Sequence, residues 1–429
     1  MTQRTPHTLY LCYFGLHEPL VQTQVLPYLR EIQKGGVKVS LMTFEPNFKA
    51  SWTKERIASE KKRLAHEEGI EWHCLGYHKR PSVPATAYDI LTGAWLTRQL
   101  LRRGNFDVVH ARVHVPMLMA VLARKFSRRR NKPKVIFDIR GFFPEEYTDA
   151  GVWKENGWLY RATKRVEKTL LREADAFVVL TEKARSILFP ESRQTGFDQL
   201  GRPVEVIPCC VDLQRFDAAD AAAARREIRE KYNLQDRPVA AYVGSFDGWY
   251  LTGEMLDFFQ AARERDPRAF TLILTQRDKE KVVARLRQRG FADTDFLVES
   301  VAPAEIPKYL SASDVALSFI KACYSKQSSS PTKIAEYLAG GVPIVANDGV
   351  GDVTELIEGE NVGAVVRGFD AKNYREALEK IEALNDDGRL REKCRERARK
   401  IFHLETVGGE KYRALYRRLL ATTPRDAKK

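Results

Sequence analysis

The chain alternates short apolar runs with longer amphipathic stretches along almost its whole length. The apolar runs are four to seven residues long, as buried strands are, and the stretches between them have helical periodicity. This alternation is typical of parallel α/β layers, in which helices cover both faces of a sheet. The strands that it predicts in the first half span residues 9–14, 37–43, 106–110, 134–138, 174–180 and 204–208.

The alternation restarts after a long Ala/Arg/Glu helix predicted at residues 218–232. A second series of strands is predicted at residues 239–243, 270–275, 294–299, 315–319, 343–346 and 363–366. Because 429 residues exceed what one hydrophobic core ordinarily organises, the restart indicates two similar α/β domains with a boundary near residues 208–218. A final helix at 409–420 carries one apolar stripe, and we expect it to dock back onto the first domain.

The net charge of the chain indicates what class of partner it binds. The net charge is +14, from 71 Lys+Arg against 57 Asp+Glu, which favours an anionic partner: nucleic acid, an acidic membrane or a phosphorylated substrate. The basic residues concentrate in the first half, above all at 124–134. Such a run is either solvated surface or a site of attraction to an anionic membrane leaflet. Nucleic acid is not expected as a partner, because no recognition module for it is present.

Cysteine usage and hydropathy bear on location. The six cysteines are scattered singly except for Cys209-Cys210, and there is no C-x-x-C spacing, as expected in a reducing compartment. We find neither a signal peptide nor a run of 18 apolar residues. The predicted location is therefore cytoplasmic, with any membrane contact peripheral and at the inner face.

Residues 328–346 (SSSPTKIAEYLAGGVPIVA) carry the most informative local pattern. A serine N-cap and Pro331 in the first helical position predict a short helix that ends at Gly340 and runs into a buried strand. Lys333 falls in the first turn, where the helix dipole is already positive, so a bound anion would remove a conflict. Glu336 lies on the same face and suits the hydroxyls of a ribose. The alternative is a capped surface helix with an accidental lysine.

Four loops follow predicted strands, where open parallel sheets bind ligands. They are Gly15 with His17, residues 138–146 with adjacent Asp138 and Arg140, residues 244–250, and residues 347–352. The glycines of the last loop would present N–H groups to an anion or simply form a turn.

Several common chemistries are not supported by the motifs. There is no G-x-x-x-x-G-K-[ST], no G-x-G-x-x-G after a strand and no G-x-S-x-G, which removes the main support for kinase, dehydrogenase and hydrolase activities. The D-x-D at residues 293–295 precedes its strand and is interpreted as a loop. The spacing of His110, Arg112 and His114 matches no metal site.

Taken together, these motifs resemble those of the GT-B glycosyltransferases of family 4. The resemblance runs from residue 9 to about residue 420. Residues 206–212 (VIPCCVD) followed by Phe216 stand where the family usually has VIPNGVD and then Phe, and residues 331–345 match its donor motif. Residues 138–146 look like a bacterial surface-polysaccharide subgroup.

The resemblance implies two Rossmann-like domains whose parallel sheets face each other across a cleft. It further implies an acceptor-binding domain at 1–210, a donor-binding domain at 211–405, and a returning C-terminal helix with a flexible tail at 406–429. The implied activity is retaining transfer of a sugar from a nucleotide-diphosphate sugar to a glycan or lipid-linked acceptor, without a metal or other cofactor. Such an enzyme would act in the synthesis of a cell-surface polysaccharide or glycolipid.

The resemblance also assigns the expected site. Arg140, Lys333 and Glu336 are the expected catalytic residues, with Arg140 reaching across the cleft. The donor side comprises Gly15, Gly244, Ser245, Ser330, Thr332, Lys333, Glu336, Gly349 and Gly351. The acceptor side comprises His17, Asp138 and Glu145.

The chain departs from the family pattern in three places. Gly15 alone stands where the family has a glycine pair in the first loop. Ser328 stands where the family has the first of two glutamates, and the loop 245–250 lacks the usual Arg and Lys that hold the diphosphate. These departures keep two alternatives open: a non-catalytic GT-B protein that binds nucleotide sugars, and a sugar-nucleotide epimerase of the same fold.

Overall fold

The chain forms two compact units, which a computed structural model describes at residues 4–127, 131–216, 218–386 and 388–421. Unit 1 comprises Met1–Pro208 with Leu404–Lys429, and unit 2 comprises Cys209–His403. The predicted flexible tail at 422–429 and the centre of the basic run, 128–130, lie outside the described residues.

Each unit is built on one fully parallel sheet, as the alternation of apolar runs predicts. The seven strands of unit 1 have the order β3-β2-β1-β4-β5-β6-β7, and the six of unit 2 the order β10-β9-β8-β11-β12-β13. In chain order the strands β1 to β13 are His7–Leu11, Lys38–Glu45, Glu71–Gly76, Val108–Arg112, Lys134–Asp138, Ala176–Val179, Val204–Val206, Val239–Val243, Phe270–Leu274, Phe296–Glu299, Val315–Ser318, Ile344–Asn347 and Gly363–Val366. Both orders reverse beside the first strand of the unit, which is the Rossmann arrangement.

Helices connect the strands and cover both sheets. In chain order α1 to α18 are Leu26–Lys34, Phe48–Ser51, Lys54–Glu67, Ser82–Arg103, His114–Lys125, Phe143–Asp149, Trp158–Glu173, Glu182–Leu188, Ser192–Thr195, Ala218–Lys231, Thr252–Arg265, Lys279–Gln288, Ile306–Ser311, Thr332–Ala339, Val353–Glu360, Ala371–Leu384, Leu390–Phe402 and Glu410–Ala421. Among the described residues, none of these helices combines the length and the hydropathy needed to cross a bilayer.

One edge strand, β3, is missing from the sequence prediction. Its residues, EWHCLG, bury Trp72 and leave Glu71 exposed, and the other four positions are half-buried. A half-buried strand that mixes polar and apolar positions in this way has no continuous apolar run to mark it. It joins the sheet through pairing with β2, where Trp72 lies beside Leu41.

The C-terminal helix α18 packs on the sheet of unit 1, as its apolar stripe predicts. Tyr412, Leu415, Tyr416 and Leu419 are buried. The hydroxyl of Tyr416 lies 3.0 Å from Oγ1 of Thr8 on β1 and 2.9 Å from Nδ1 of His110 on β4. Hydrogen bonds to two adjacent strands fix the helix to unit 1.

Candidate functional site

The reversal of strand order in unit 2 opens a crevice at the carboxyl ends of β8 and β11. The loop 244–250 follows β8, and the segment 319–331 follows β11 and leads into α14. The two are joined by backbone hydrogen bonds, from Lys321 to Trp249 at 2.9 Å and from Leu251 to Phe319 at 3.2 Å. A crevice of this kind is where open α/β sheets bind their ligands.

Lys333, in the first turn of α14, lies against the loop that follows β8, and aromatic groups surround its ammonium. Its Nζ donates to the hydroxyl of Tyr242 at 3.0 Å and lies 4.1 Å from the ring centroids of both Tyr242 and Tyr250. The residue is 6% exposed. Among the described residues, no carboxylate lies within the 4.0 Å that defines an ion pair with this ammonium. In the described part of the chain, the site therefore buries a cation that has no carboxylate at ion-pair distance.

Burial dominates the electrostatics of Lys333. Loss of solvation lowers the pKa of Lys333 to about 7, and the nearby charge of Glu336 offsets only part of that effect. An anion bound beside Nζ would compensate the buried charge and raise the pKa again. The anion at this first helical turn stays a prediction, and the burial of Lys333 is a physical reason for it.

Both the backbone conformation and the neighbouring atoms require a glycine at position 244. Its φ of +142° is rarely adopted by residues with a side chain, and a Cβ built there would lie 3.0 Å from Nζ of Lys333 and 3.3 Å from the Tyr242 hydroxyl. The neighbouring Ser245 accepts a hydrogen bond from Tyr242 through its carbonyl. Both residues thus belong to the surroundings of Lys333.

Glu336, one turn further along α14, is paired with an arginine that the sequence analysis does not single out. Oε1 of Glu336 lies 3.6 Å from the Arg215 guanidinium, and 19% of the Glu336 side chain is exposed. Burial raises the pKa of Glu336, while Arg215 and Lys333 oppose the rise. Arg215 directly precedes Phe216, the last residue of the VIPCCVD…F motif. Its place within this motif is the feature of the sequence that could have indicated a role for it.

A second lysine, Lys326, reaches the same loop. Its Nζ lies 3.8 Å from the ring centroid of Trp249, and the residue is 7% exposed. Lys326 and Lys333 thus contact adjacent aromatic residues, Trp249 and Tyr250, of the loop that lacks the family's Arg and Lys. No sequence pattern indicated Lys326, because the contact joins segments about 77 positions apart.

The start of α14 differs from the prediction by one residue. Pro331 is the N-cap, in an extended conformation, and the helix begins at Thr332. The Ser330 hydroxyl does not cap the helix but accepts a hydrogen bond from the amide of Cys209 at 3.1 Å. Ser328 is 2% exposed and donates to the carbonyl of Ser325 at 2.7 Å, so its hydroxyl stabilises the turn before the helix.

The amides of Gly349 and Gly351, which we expect to face an anion or to form a turn, both donate hydrogen bonds within the chain. The Gly349 amide donates to Oδ1 of Asp348 at 2.7 Å, and the Gly351 amide donates to the carbonyl of Lys326 at 2.8 Å. Their φ values of +83° and +45° show why glycine is present: both residues form turns that a side chain would strain.

Arg140 occupies a buried ion-pair cluster inside unit 1. Its Nε lies 2.8 Å from Oδ1 of Asp138, and its guanidinium donates to the Tyr412 hydroxyl at 2.6 Å. Asp138 is fully buried and also lies 3.4 Å from His110. Burial would raise the pKa of Asp138, but Arg140, His110 and Arg112 together hold it well below its usual range. These contacts bind Arg140 and Asp138 to α18 and indicate a structural role. The role of Arg140 at the diphosphate stays a prediction.

The other residues predicted from unit 1 also have defined partners. A Cβ at Gly15 would lie 2.7 Å from Pro46, so the close approach there involves the chain itself. His17 stacks on Trp52 with ring centroids 5.5 Å apart and stays 45% exposed. Glu145 accepts from Tyr160 at 3.1 Å and pairs with Lys164 at 3.0 Å.

The D-x-D at residues 293–295 forms structural ion pairs, as its interpretation as a loop predicts. Asp293 pairs with Arg287 at 2.9 Å, and Asp295 pairs with Arg263 at 3.0 Å. Among the described residues there is no group of three or more His, Cys, Asp or Glu side chains arranged to hold a metal ion.

Two protein-family models match the chain. A model described as "Glycosyl transferase 4-like domain" matches residues 21–210, and one described as "Glycosyl transferases group 1" matches residues 224–401. The chain is 28% identical over 269 residues to an alpha-D-kanosaminyltransferase of Streptomyces kanamyceticus, covering 60% of this chain and 64% of that protein. It is 26% identical over 235 residues to a D-inositol 3-phosphate glycosyltransferase of Nocardia farcinica, covering 52% and 48%. The matches thus span less than two thirds of either relative.

A solved structure extends the similarity to the whole fold. The Anabaena protein HepE, solved in complex with UDP, aligns with a TM-score of 0.65 at 14% identity, covering 96% of this chain and all of that one.

Proposed function

The chain belongs to the GT-B glycosyltransferases that join a 4-like domain to a group 1 domain, and from this we propose that it transfers a sugar from a nucleoside-diphosphate sugar to an acceptor. One observation carries the proposal: at the strand-order reversal of unit 2, the ammonium of Lys333 is buried, and no carboxylate of the described residues lies within 4.0 Å of it. A diphosphate is the anion that would complete that site. HepE, which shares the fold, was solved with UDP.

The chemistry follows from the charges. When the bond between sugar and diphosphate breaks, negative charge develops on the leaving group, and fixed cations beside it stabilise the transition state. Lys333 and the N-terminal turn of α14 would supply that stabilisation, with Lys326 as a second cation beside the loop 244–250. The two lysines would take the place of the Arg and Lys that the loop 245–250 lacks.

Glu336 would bind the ribose of the nucleotide. Its carboxylate lies one turn behind Lys333, is partly exposed, and is oriented by Arg215 at 3.6 Å. A carboxylate in that position accepts hydrogen bonds from vicinal hydroxyls, which neutral groups bind less strongly. Gly244 would leave room for the diphosphate against Lys333.

The finer parts of the proposal concern mechanism and acceptor. We propose retention of anomeric configuration, because a departing phosphate that assists the acceptor requires no strong general base. Lysine cations would replace a divalent metal at the diphosphate. The acceptor would be a glycan or a lipid-linked glycan in cell-surface polysaccharide or glycolipid synthesis, reached at the cytoplasmic face of an anionic membrane through unit 1.

The first test is the thermal stability of the protein with UDP, GDP, ADP and dTDP. One of these should raise the melting temperature of the wild type, and Lys333→Ala should lose that response. Lys372→Ala is the matched control, because Lys372 lies in unit 2 with 83% of its side chain exposed. A response that Lys333→Ala retains, or the lack of any response, would contradict the site.

Product analysis with the matching nucleotide sugar then separates the alternatives. A transferase releases the nucleoside diphosphate and moves the sugar to an added acceptor or to water. An epimerase returns an isomer of the nucleotide sugar, and a protein that only binds returns the sugar nucleotide unchanged.

A further inference from the structure

Helix α4 of unit 1 exposes a stripe of large apolar side chains. Tyr88, Leu91 and Trp95 are 56%, 65% and 59% exposed, and their spacing of three and four residues places them on one side of the helix. The opposite side is buried: a Cβ at Gly93 would lie 2.5 Å from Met119 of α5. The stripe is therefore the outer face of a helix that is firmly packed from behind.

The stripe continues onto the end of α5. Phe126, the residue after α5, is 66% exposed, and its carbonyl accepts a hydrogen bond from Nε of Arg98 on α4 at 2.9 Å. Single exposed apolar residues are ordinary, but several large ones on two helices that pack together mark an interaction surface. We call the group Tyr88, Leu91, Trp95 and Phe126, with the basic residues described next, the α4 face.

Basic residues flank the apolar stripe at both ends. Lys79 and Arg80 are exposed just before α4, and Arg102 and Arg103 are exposed in its last turn. The helix contains one acidic residue, Asp89, which is fully buried and accepts hydrogen bonds from Tyr13 and from the amide of His78. The outer side of α4 thus presents aromatic rings and cations without a carboxylate.

We propose that the α4 face docks on an anionic phospholipid surface, with α4 parallel to the membrane plane. Tyrosine and tryptophan favour the boundary between headgroups and acyl chains, and basic residues at both ends attract the phosphates of anionic lipids. A second copy of the chain fits this face less well, because a two-fold interface would bring its cations against each other. The inference rests on the proposed function in one respect only, since it names the surface by which unit 1 reaches a membrane-borne acceptor.

Binding to vesicles tests the docking surface independently of sugar transfer. The full chain should sediment with vesicles of phosphatidylcholine containing about 30 mol % phosphatidylglycerol, and not with phosphatidylcholine alone. Leu91→Glu/Trp95→Glu should weaken this binding by at least about tenfold, because it removes apolar insertion. Arg102→Glu/Arg103→Glu should weaken it to a similar degree, and salt of about 0.5 M should have the same effect on the wild type.

Matched controls keep the test specific. Leu200→Glu changes an apolar residue of unit 1 that is 58% exposed, and Arg193→Glu/Arg226→Glu makes the same change in net charge at exposed positions elsewhere. Both should bind vesicles as the wild type does, and every variant should keep its thermal response to the nucleotide. The proposal would be overturned if the wild type did not bind vesicles or if the controls lost binding to the same degree. It would also be overturned if the wild type ran as a dimer in size-exclusion chromatography and the α4 variants ran as monomers. If no nucleotide raised the melting temperature of the wild type, that result would contradict the donor site and leave the vesicle result standing.

Discussion

Gly244 lies directly against Lys333: a Cβ built on the glycine would stand 3.0 Å from the lysine Nζ, although the two residues are 89 positions apart in the chain. The glycine follows β8 and the lysine lies in the first turn of α14, so the contact joins the loop after β8 to the helix that follows β11 at the strand-order reversal of unit 2. Because Gly244 has no side chain, the ammonium of Lys333 and an anion bound to it have room beside Tyr242.

The first prediction concerns that contact. Gly244→Ala should reduce nucleotide affinity by at least about tenfold, because the methyl group displaces Lys333 and the φ of +142° strains the new residue. Isothermal titration calorimetry measures the affinity.

Gly248→Ala is the matched control in the same loop. It has a φ of +66° and no atom within 4 Å of its Cβ position, so it should cost about 1–2 kcal/mol of stability and leave the affinity unchanged. Equal losses of affinity in the two variants would show that loop strain, and not contact with Lys333, controls binding.

The second prediction is a pH dependence of nucleotide binding. Burial lowers the pKa of Lys333 to about 7, so the free protein loses this proton above that pH. A diphosphate binds the charged form, and affinity should therefore fall as pH rises above about 7, by up to tenfold per pH unit. Titrations from about pH 6 to about pH 9 measure the fall. A flat profile would contradict the role of Lys333.

The same shift predicts how stability changes with pH. Between about pH 7 and the ordinary lysine value of 10.5, the unfolded chain holds a proton that the native protein has lost. The free energy of unfolding should therefore rise with pH across this window, and Lys333→Ala should show a shallower rise. Urea denaturation at several pH values tests the difference between the two proteins.

The third prediction concerns Glu336 and its partner Arg215. Glu336→Gln should weaken nucleotide binding by about tenfold or more, because an amide is a poorer acceptor for the ribose hydroxyls than a carboxylate. The matched 2′-deoxynucleotide should bind the wild type less tightly than the ribonucleotide does. If Glu336→Gln weakens both nucleotides equally, Glu336 does not bind the 2′-hydroxyl.

The fourth prediction separates structure from catalysis at Arg140. Asp138→Asn removes the buried carboxylate that lies 2.8 Å from Arg140 and 3.8 Å from Arg112, and it should cost about 3–5 kcal/mol of stability. Chemical denaturation followed by circular dichroism measures this cost. Asp293→Asn, which breaks the exposed pair with Arg287, should change stability little. Similar costs for the two variants would contradict the structural role of the Asp138–Arg140 cluster.

The fifth prediction concerns metal dependence. Because two lysines and a helix N-terminus would carry the charge of the leaving diphosphate, excess EDTA should leave the transfer rate unchanged within about twofold. A rate that EDTA abolishes and that added Mg²⁺ or Mn²⁺ restores would show that a metal shares this role.

Local pattern was sufficient for much of the fold. Twelve of the strands were predicted from their apolar runs, and the stripe at 409–420 predicted the docking of α18, because both depend on residues near in sequence. The missed strand β3 is half-buried at an edge and is held by its pairing with β2. Lys333 and Glu336 were predicted as a pair because the geometry of one short helix places them on one face.

What the sequence by itself determined is therefore the succession of elements, the restart of the strand pattern in the second half of the chain, and which residues share a face of α14. The tertiary structure decided which distant residues complete each site: Tyr242 and Tyr250 around Lys333, Arg215 beside Glu336, Asp138 and Tyr412 around Arg140. It also decided that α4 keeps an apolar face exposed. The physical reason is that periodicity and capping depend on neighbouring residues. Strand order and helix packing, by contrast, bring together residues that no local pattern connects.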